Sequence, residues 1–277
     1  MKLIVLSDNR SSNAAFDSEH GLSVYVERNT CKCLFDTGAS GLFIRNAEKA
    51  GVDLTQVDYV FISHGHSDHL GGLDLFLKLN TKAKIVLSKN IFSQQLFSNR
   101  NGFREIGMSM DITKYLDRFI FVENDLAIED DINVYTVKSH SYSLPKGNQT
   151  LFKDPGTGIE PDDFNHEIVV ALGKDDLFVF TGCAHHGVLN MLATVAEKTG
   201  KNIRYVFGGF HLLDSSGLQY YEAEDEIREI ARALQQQYPD TEFFTGHCSG
   251  DNACSILKKE LKSQLDVFAA GYEWKTE

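Results

Sequence analysis

The sequence predicts an α/β protein built on stacked sheets, and three observations carry that expectation. Short apolar and β-branched runs bounded by Gly, Asp, Asn or Ser outnumber the helical stretches. Strand-like and helix-like segments alternate along the chain instead of segregating into blocks. Composition permits a full core: over 277 residues, apolar side chains make up 42% and aromatics 11%, which is ordinary globular usage.

The elements follow in order. Residues 2–6, 22–27, 31–35 and 59–63 read as short strands, so the first third forms hairpins feeding a sheet. Further strands are expected at 84–88, 119–122, 133–137, 168–172, 177–181, 205–208 and 243–245. Helical patterning covers 41–50, 72–79, 188–199 and, most clearly, 223–237, where Ile227, Ile230, Ala231 and Leu234 share a face. Between 91 and 161 the pattern loosens, with Asn99-Arg100-Asn101-Gly102 and Lys153-Asp154-Pro155-Gly156-Thr157-Gly158. Long irregular stretches in compact domains are often functional, so this one is expected to be a cap or flap within a single domain spanning 1–277.

Composition also narrows the function classes. A formal charge of −12 repels a polyanion, so no nucleic-acid partner is expected. No apolar run approaches the roughly 20 residues that span a bilayer, and 1–6 is too short for a signal-peptide core, so the expectation is a cytoplasmic protein with no membrane partner. Five cysteines in a chain this long do not make the dense framework of a small secreted domain. Cys31 and Cys33 fall on one face of an expected strand and read as packing. The acidic run 222–229 reads as a solvated helix face supported by Arg228 and Arg232. A small-molecule substrate is the expected partner, and a homo-oligomer is left open.

The run His64-Gly65-His66-Ser67-Asp68-His69 follows the apolar stretch 57–63. Several imidazoles and a carboxylate crowded at a strand end would repel and desolvate one another without a ligand to share. A strand-to-helix turn lets His64 and His66 point to one side and Asp68 and His69 to the other, so one loop can serve two ions. Nitrogen and carboxylate donors suit zinc, and also iron or manganese.

His-x-His-x-Asp-His after a strand, preceded by Leu34-Phe35-Asp36-Thr37-Gly38, resembles the metallo-β-lactamase superfamily. The resemblance implies an αββα sandwich, two stacked mixed sheets flanked by helices, with two metal sites at one edge. It implies that Asp36 supports the ligands through hydrogen bonds. Later ligands are implied in Phe180-Thr181-Gly182-Cys183-Ala184-His185 and Phe244-Thr245-Gly246-His247. Most superfamily members carry a metal-bridging Asp after the first Thr-Gly, where this chain has Cys183. Either Cys183 binds as a thiolate or, preferably, His185 supplies the ligand. His247 matches the last ligand motif. His166 is implied either as a ligand of the first ion or as a support behind one, and His211 as a substrate contact or proton donor. His20, His140 and His186 have no placement that the sequence defends.

Gly182-Cys183-Ala184-His185-His186-Gly187, Gly208-Gly209-Phe210-His211-Leu212 and Thr245-Gly246-His247-Cys248-Ser249-Gly250 resemble one branch more narrowly. That branch includes archaeal enzymes of methanopterin biosynthesis, which join a dihydropterin diphosphate to a ribofuranosyl-aminobenzene phosphate. The resemblance implies a hydrolase or transferase with two divalent ions, zinc before iron or manganese. Its substrate would be a small phosphorylated or pterin-like metabolite attacked by a metal-bound hydroxide. Asp68 would orient that hydroxide and carry a proton to the leaving group. The alternatives are a di-iron redox enzyme and a non-catalytic ligand-binding member of the same fold.

Overall fold

The computed structural model describes residues 1–138, 140–216 and 219–276. The chain forms two compact units. One holds 1–123, 151–166 and 268–277, and the other 124–150 and 167–267.

The first unit is built on a seven-stranded mixed sheet. Its order is Glu273–Lys275, Lys2–Ser7, Ser23–Glu27, Lys32–Phe35, Tyr59–Ile62, Lys84–Ser88 and Phe119–Val122. The first four strands are antiparallel neighbours and the last four run parallel. The strands are nearly continuous apolar runs, as expected where both faces are covered. On one face Leu34, Val60, Ile62, Ile85 and Leu87 pack with Phe43 and Ala47 of the helix Leu42–Lys49 and Phe76 and Leu77 of the helix Leu73–Leu79. Burying each such side chain contributes on the order of 1.5–3 kcal/mol. The turn Gly71-Gly72 runs so close to the backbone of 37–39 that a Cβ on either residue would lie 2.3 Å from a carbonyl oxygen.

The second unit repeats the plan. Its sheet has the order Leu265–Val267, Glu242–Thr245, Asn202–Gly208, Asp176–Gly182, Val169–Leu172, Ile132–Tyr135 and Leu126–Glu129. The first four strands are parallel and the rest antiparallel. Helices Val188–Thr199, Glu224–Gln237 and Asp251–Leu261 cover one face through Met191, Leu192, Val195, Ile227, Ala231, Leu234, Ile256 and Leu257.

The loosely patterned 91–161 segment does not stay together, and residue 139 within it lies outside the described residues. It supplies Phe119–Val122 to the first sheet and Leu126–Glu129 and Ile132–Tyr135 to the second. The rest includes all four strands of a small antiparallel sheet in the first unit, ordered Glu160–Pro161, Leu151–Asp154, Gln95–Ser98 and Arg104–Glu105. The helix Asp251–Leu261 and the strand Glu273–Lys275 are elements that the sequence reading did not anticipate. No described helix is long and apolar enough to cross a membrane.

Candidate metal centre

In both units the chemistry-bearing residues follow the carboxyl ends of parallel strands, the edge where open α/β sheets bind ligands. Several sit in the left-handed backbone region without being glycine: Asp36 (φ 57°) and Phe164 (56°) in the first unit, and Ala184 (58°), His211 (50°) and His247 (48°) in the second. Such conformations cost free energy and persist where the surroundings hold them, most often at functional sites.

In the first unit, Asp36 follows the strand Lys32–Phe35, and Ser63 to His69 follow the adjacent strand Tyr59–Ile62. The Asp36 carboxylate, 1% exposed, accepts the Ser63 N–H at 2.7 Å and the Ser63 hydroxyl at 2.8 Å, and lies 2.6 Å from His69 Nδ1. Because Ser63 Oγ gives its proton to Asp36, it is left to accept from His64 Nδ1, 2.9 Å away. His64 and His69 are thereby set with Nδ1 protonated and Nε2 carrying the lone pair, the form in which imidazole binds a metal.

His64 Nε2 faces His66 Nδ1 at 3.0 Å, and the His64 and His69 rings lie 4.1 Å apart. Two nitrogens bound to one tetrahedral ion at about 2.0–2.1 Å are separated by about 3.3 Å, so this pair needs only a small adjustment to share a metal. Burial, reinforced by the charge of His166, pushes His66 down to about 3, which keeps its ring neutral and its lone pair available. The donors therefore fit a divalent ion.

Asp68 Oδ2 lies 3.7 Å from His69 Nε2 and 3.2 Å from Nε2 of the exposed His20, which gives His20 the placement its sequence context lacked. His166 Nδ1 accepts the Gly65 N–H at 3.1 Å, so Nε2 carries the proton facing Asp162 Oδ2 at 3.0 Å. Both ring nitrogens are engaged, and His166 straps the loop between His64 and His66. Burial alone would raise the Asp162 carboxyl, but its hydrogen bond to His166 and the charges of His166 and His66 hold it below the usual range.

In the second unit, three adjacent parallel strands end in Gly182, Gly208 and Thr245, and each is followed by its histidine: His185, His211 and His247. All three are nearly fully buried. Asn148 orients His185 twice, with Oδ1 3.1 Å from Nδ1 and Nδ2 donating to the His185 carbonyl at 2.7 Å. Glu167 closes the turn by accepting the N–H groups of His185 and His186, each at 2.8 Å. His186 and His140 pair at 2.8 Å.

Cys183, His211 and Cys248 bring their donor atoms within 4.8 Å of one another. Burial alone would raise the Cys248 thiol. Hydrogen bonding to Cys183 and His211, with the charges of His247 and His211, draws it well below the usual range instead. Ser249 Oγ ties the loops together, accepting the Phe210 N–H at 2.9 Å and meeting Thr245 Oγ1 at 2.8 Å. A cavity of about 300 Å³ in this unit is lined by Leu144, Lys146, Val188, Phe210, Leu212 and Glu222, among others, and so flanks the His185 and His211 loops.

Histidines and acids gathered behind parallel strands, with imidazoles held in the tautomer that binds metals, make a candidate metal centre on an α/β fold. Residues 18–199 match the family model of the metallo-beta-lactamase superfamily, and the chain belongs to that superfamily and has its fold.

The chain is 34% identical to Tm1679, a metal-dependent hydrolase of the beta-lactamase superfamily, with a TM-score of 0.81 over 100% of this chain and 99% of that one. It is 27% identical, over 98% of this chain and 95% of the relative, to the 7,8-dihydropterin-6-methyl-4-(beta-D-ribofuranosyl)-aminobenzene-5'-phosphate synthase of Methanocaldococcus jannaschii. The short form of human tRNase Z shares the fold at 12% identity, with a TM-score of 0.54 over 99% of each chain.

Asn148, Glu167 and Ser63 are site residues that sequence reasoning missed. Only Glu167, beside His166 and before an apolar run, left a signal in the sequence.

Proposed function

We propose that this chain is a metal-dependent hydrolase or transferase acting on a small phosphorylated or pterin-like metabolite. The first unit offers His64, His66, Asp68 and His69 as ligands, with His166 fixing the loop of the first pair, and the second offers His185 and His247. The observation that carries this reading is the facing pair His64 Nε2 and His66 Nδ1, 3.0 Å apart, with His64 and His69 pre-set by the Asp36 carboxylate.

Two divalent ions held by these donors, zinc before iron or manganese, would lower the pKa of a coordinated water toward about 7 and polarise the substrate oxygen. The chain's own residues supply orientation and proton handling. Asp68, partly exposed, takes or holds a proton at Oδ2, and His20, 3.2 Å away and open to solvent, relays it outward. Asn148 keeps His185 from rotating, and the cavity beside His185 and His211 has the size to take the non-reacting part of a small metabolite. The hydrolase half of the reading draws on Tm1679, and the phosphate and pterin half on the name of the 27% identical synthase.

The test is elemental analysis of the purified protein beside a His64→Ala, His66→Ala double variant, with turnover screened on phosphodiester, lactone and thioester probes. The reading expects divalent metal content to fall in the variant, with turnover lost alongside it. Metal content unchanged by the double substitution would overturn it.

A further inference from the structure

The second unit also holds a donor set of a different, softer kind. Cys183, His211 and Cys248 each sit in the loop that follows one of the adjacent parallel strands Asp176–Gly182, Asn202–Gly208 and Glu242–Thr245. Their sulfur and ring-nitrogen atoms lie within 4.8 Å of one another, and the residues are 3%, 4% and 7% exposed.

Packing alone does not account for the cluster. A buried thiol can behave as a small apolar group, but His211 brings two ring nitrogens. Among the described residues neither finds a hydrogen-bond partner of ordinary geometry. The Cys248 sulfur, a weak hydrogen-bonding group, offsets little of that desolvation. The backbone is also shaped around the cluster. His211 is held at φ 50°, and a Cβ on Gly209 would lie 2.3 Å from Cys248 Sγ, so only glycine lets the sulfur rest against that loop.

We infer that Cys183, His211 and Cys248 form a binding site for a divalent, thiophilic metal ion. Two cysteine sulfurs and one imidazole are the donors of an open zinc site, with a fourth position left for another ligand. Soft sulfur donors select zinc or iron over magnesium or calcium. Charge fixes the valence: on binding, each thiol releases its proton to solvent, and two thiolates cancel a 2+ ion, so no net charge is buried. His211 then gives a lone pair, not a proton, and its role is positional. The site does not depend on the chain being a hydrolase.

Cobalt(II) is the probe, because thiolate bound to cobalt gives a near-ultraviolet charge-transfer band that nitrogen and oxygen ligands do not. The reduced, chelator-treated full chain is titrated with cobalt(II), then with zinc(II). The expected result is a sulfur band that zinc abolishes. The band should fall by about half in Cys183→Ser and in Cys248→Ser, each removing one of two thiolates, and persist in Cys254→Ser. Cobalt binding to the wild-type chain without a sulfur band would overturn the site with no variant needed. A band that survives both serine substitutions in variants with wild-type circular dichroism would overturn it as well. Turnover of the phosphodiester probe in a protein lacking the band would retain the hydrolase reading and overturn this one.

Discussion

Replacing Asp36 with Ala tests whether the carboxylate behind His64 and His69 holds the site. The change removes the acceptor of the Ser63 N–H at 2.7 Å, of the Ser63 hydroxyl at 2.8 Å and of His69 Nδ1 at 2.6 Å, all in a place without access to water. Hydrogen bonds to a charged acceptor contribute about 1.5–3 kcal/mol each, and removing one partner of a buried charged network costs about 3–5 kcal/mol in all. The left-handed backbone of Asp36 (φ 57°) adds about 1 kcal/mol for Ala, which tolerates it less well than Asp. A loss on the order of 4 kcal/mol follows, or roughly 10 °C in melting temperature for a chain this size. The assay is urea and thermal unfolding of chelator-treated protein, so that lost metal is not what is read. Ser63→Ala, which removes only the hydroxyl, should lose about 1 kcal/mol. Destabilisation of the metal-free Asp36→Ala variant by less than about 1 kcal/mol would refute the reasoning.

Three further outcomes are expected. Asn148→Ala should weaken metal binding about 10- to 100-fold, read by competition with a chromophoric chelator, with little change in metal-free stability, because it frees His185 to rotate. Glu167→Ala leaves the buried N–H groups of His185 and His186 without an acceptor and should cost about 2–5 kcal/mol in urea unfolding, against little for a Glu160→Ala control at the exposed end of a strand. The pH dependence of metal-free stability has a defined sign. His66 titrates at about 3 in the folded chain against an ordinary 6.5. Between those values the unfolded chain binds the extra proton, so stability should fall as the pH drops from 6.5, by up to about 1.4 kcal/mol per pH unit. A His66→Gln variant should lose that part of the slope, and an identical slope in variant and parent would rule His66 out as its source.

Much of the frame was legible because local pattern and burial agree in it. The expected helix at 188–199 matches Val188–Thr199, and the expected helices at 41–50, 72–79 and 223–237 differ from the observed ones only at their ends. The helix Asp251–Leu261 was hidden by its neighbour. Ala253, Ile256, Leu257 and Leu261 have helical spacing, but the motif Thr245-Gly246-His247-Cys248-Ser249-Gly250 directly before them carries the stronger signal. In the site, His64 to His69 stand out because contiguous ligands leave a contiguous signal. Asn148 does not, since it is a single polar residue whose role comes from where the chain returns in space. The 91–161 segment misled for a related reason. Four-residue strands separated by turns look irregular locally, yet their partners lie far away in sequence, as with Leu151–Asp154 on Gln95–Ser98.

The strand Glu273–Lys275 sits on the outer side of Lys2–Ser7 in the first sheet, with Lys2 opposite Lys275 and the Met1 ammonium 2.9 Å from Thr276 Oγ1. This ladder joins residues about 270 positions apart, from Lys2 with Lys275 to Ile4 with Glu273, so among the described strand pairings its closure carries the largest loop entropy. It should therefore be the last contact made in folding and the first lost under mechanical tension. Until it forms, Lys2–Ser7 is an unpaired apolar edge, the kind of surface on which chains stick to one another. The residues that carry the chemistry can be replaced one loop at a time, whereas yield on refolding hangs on three residues far from any of them.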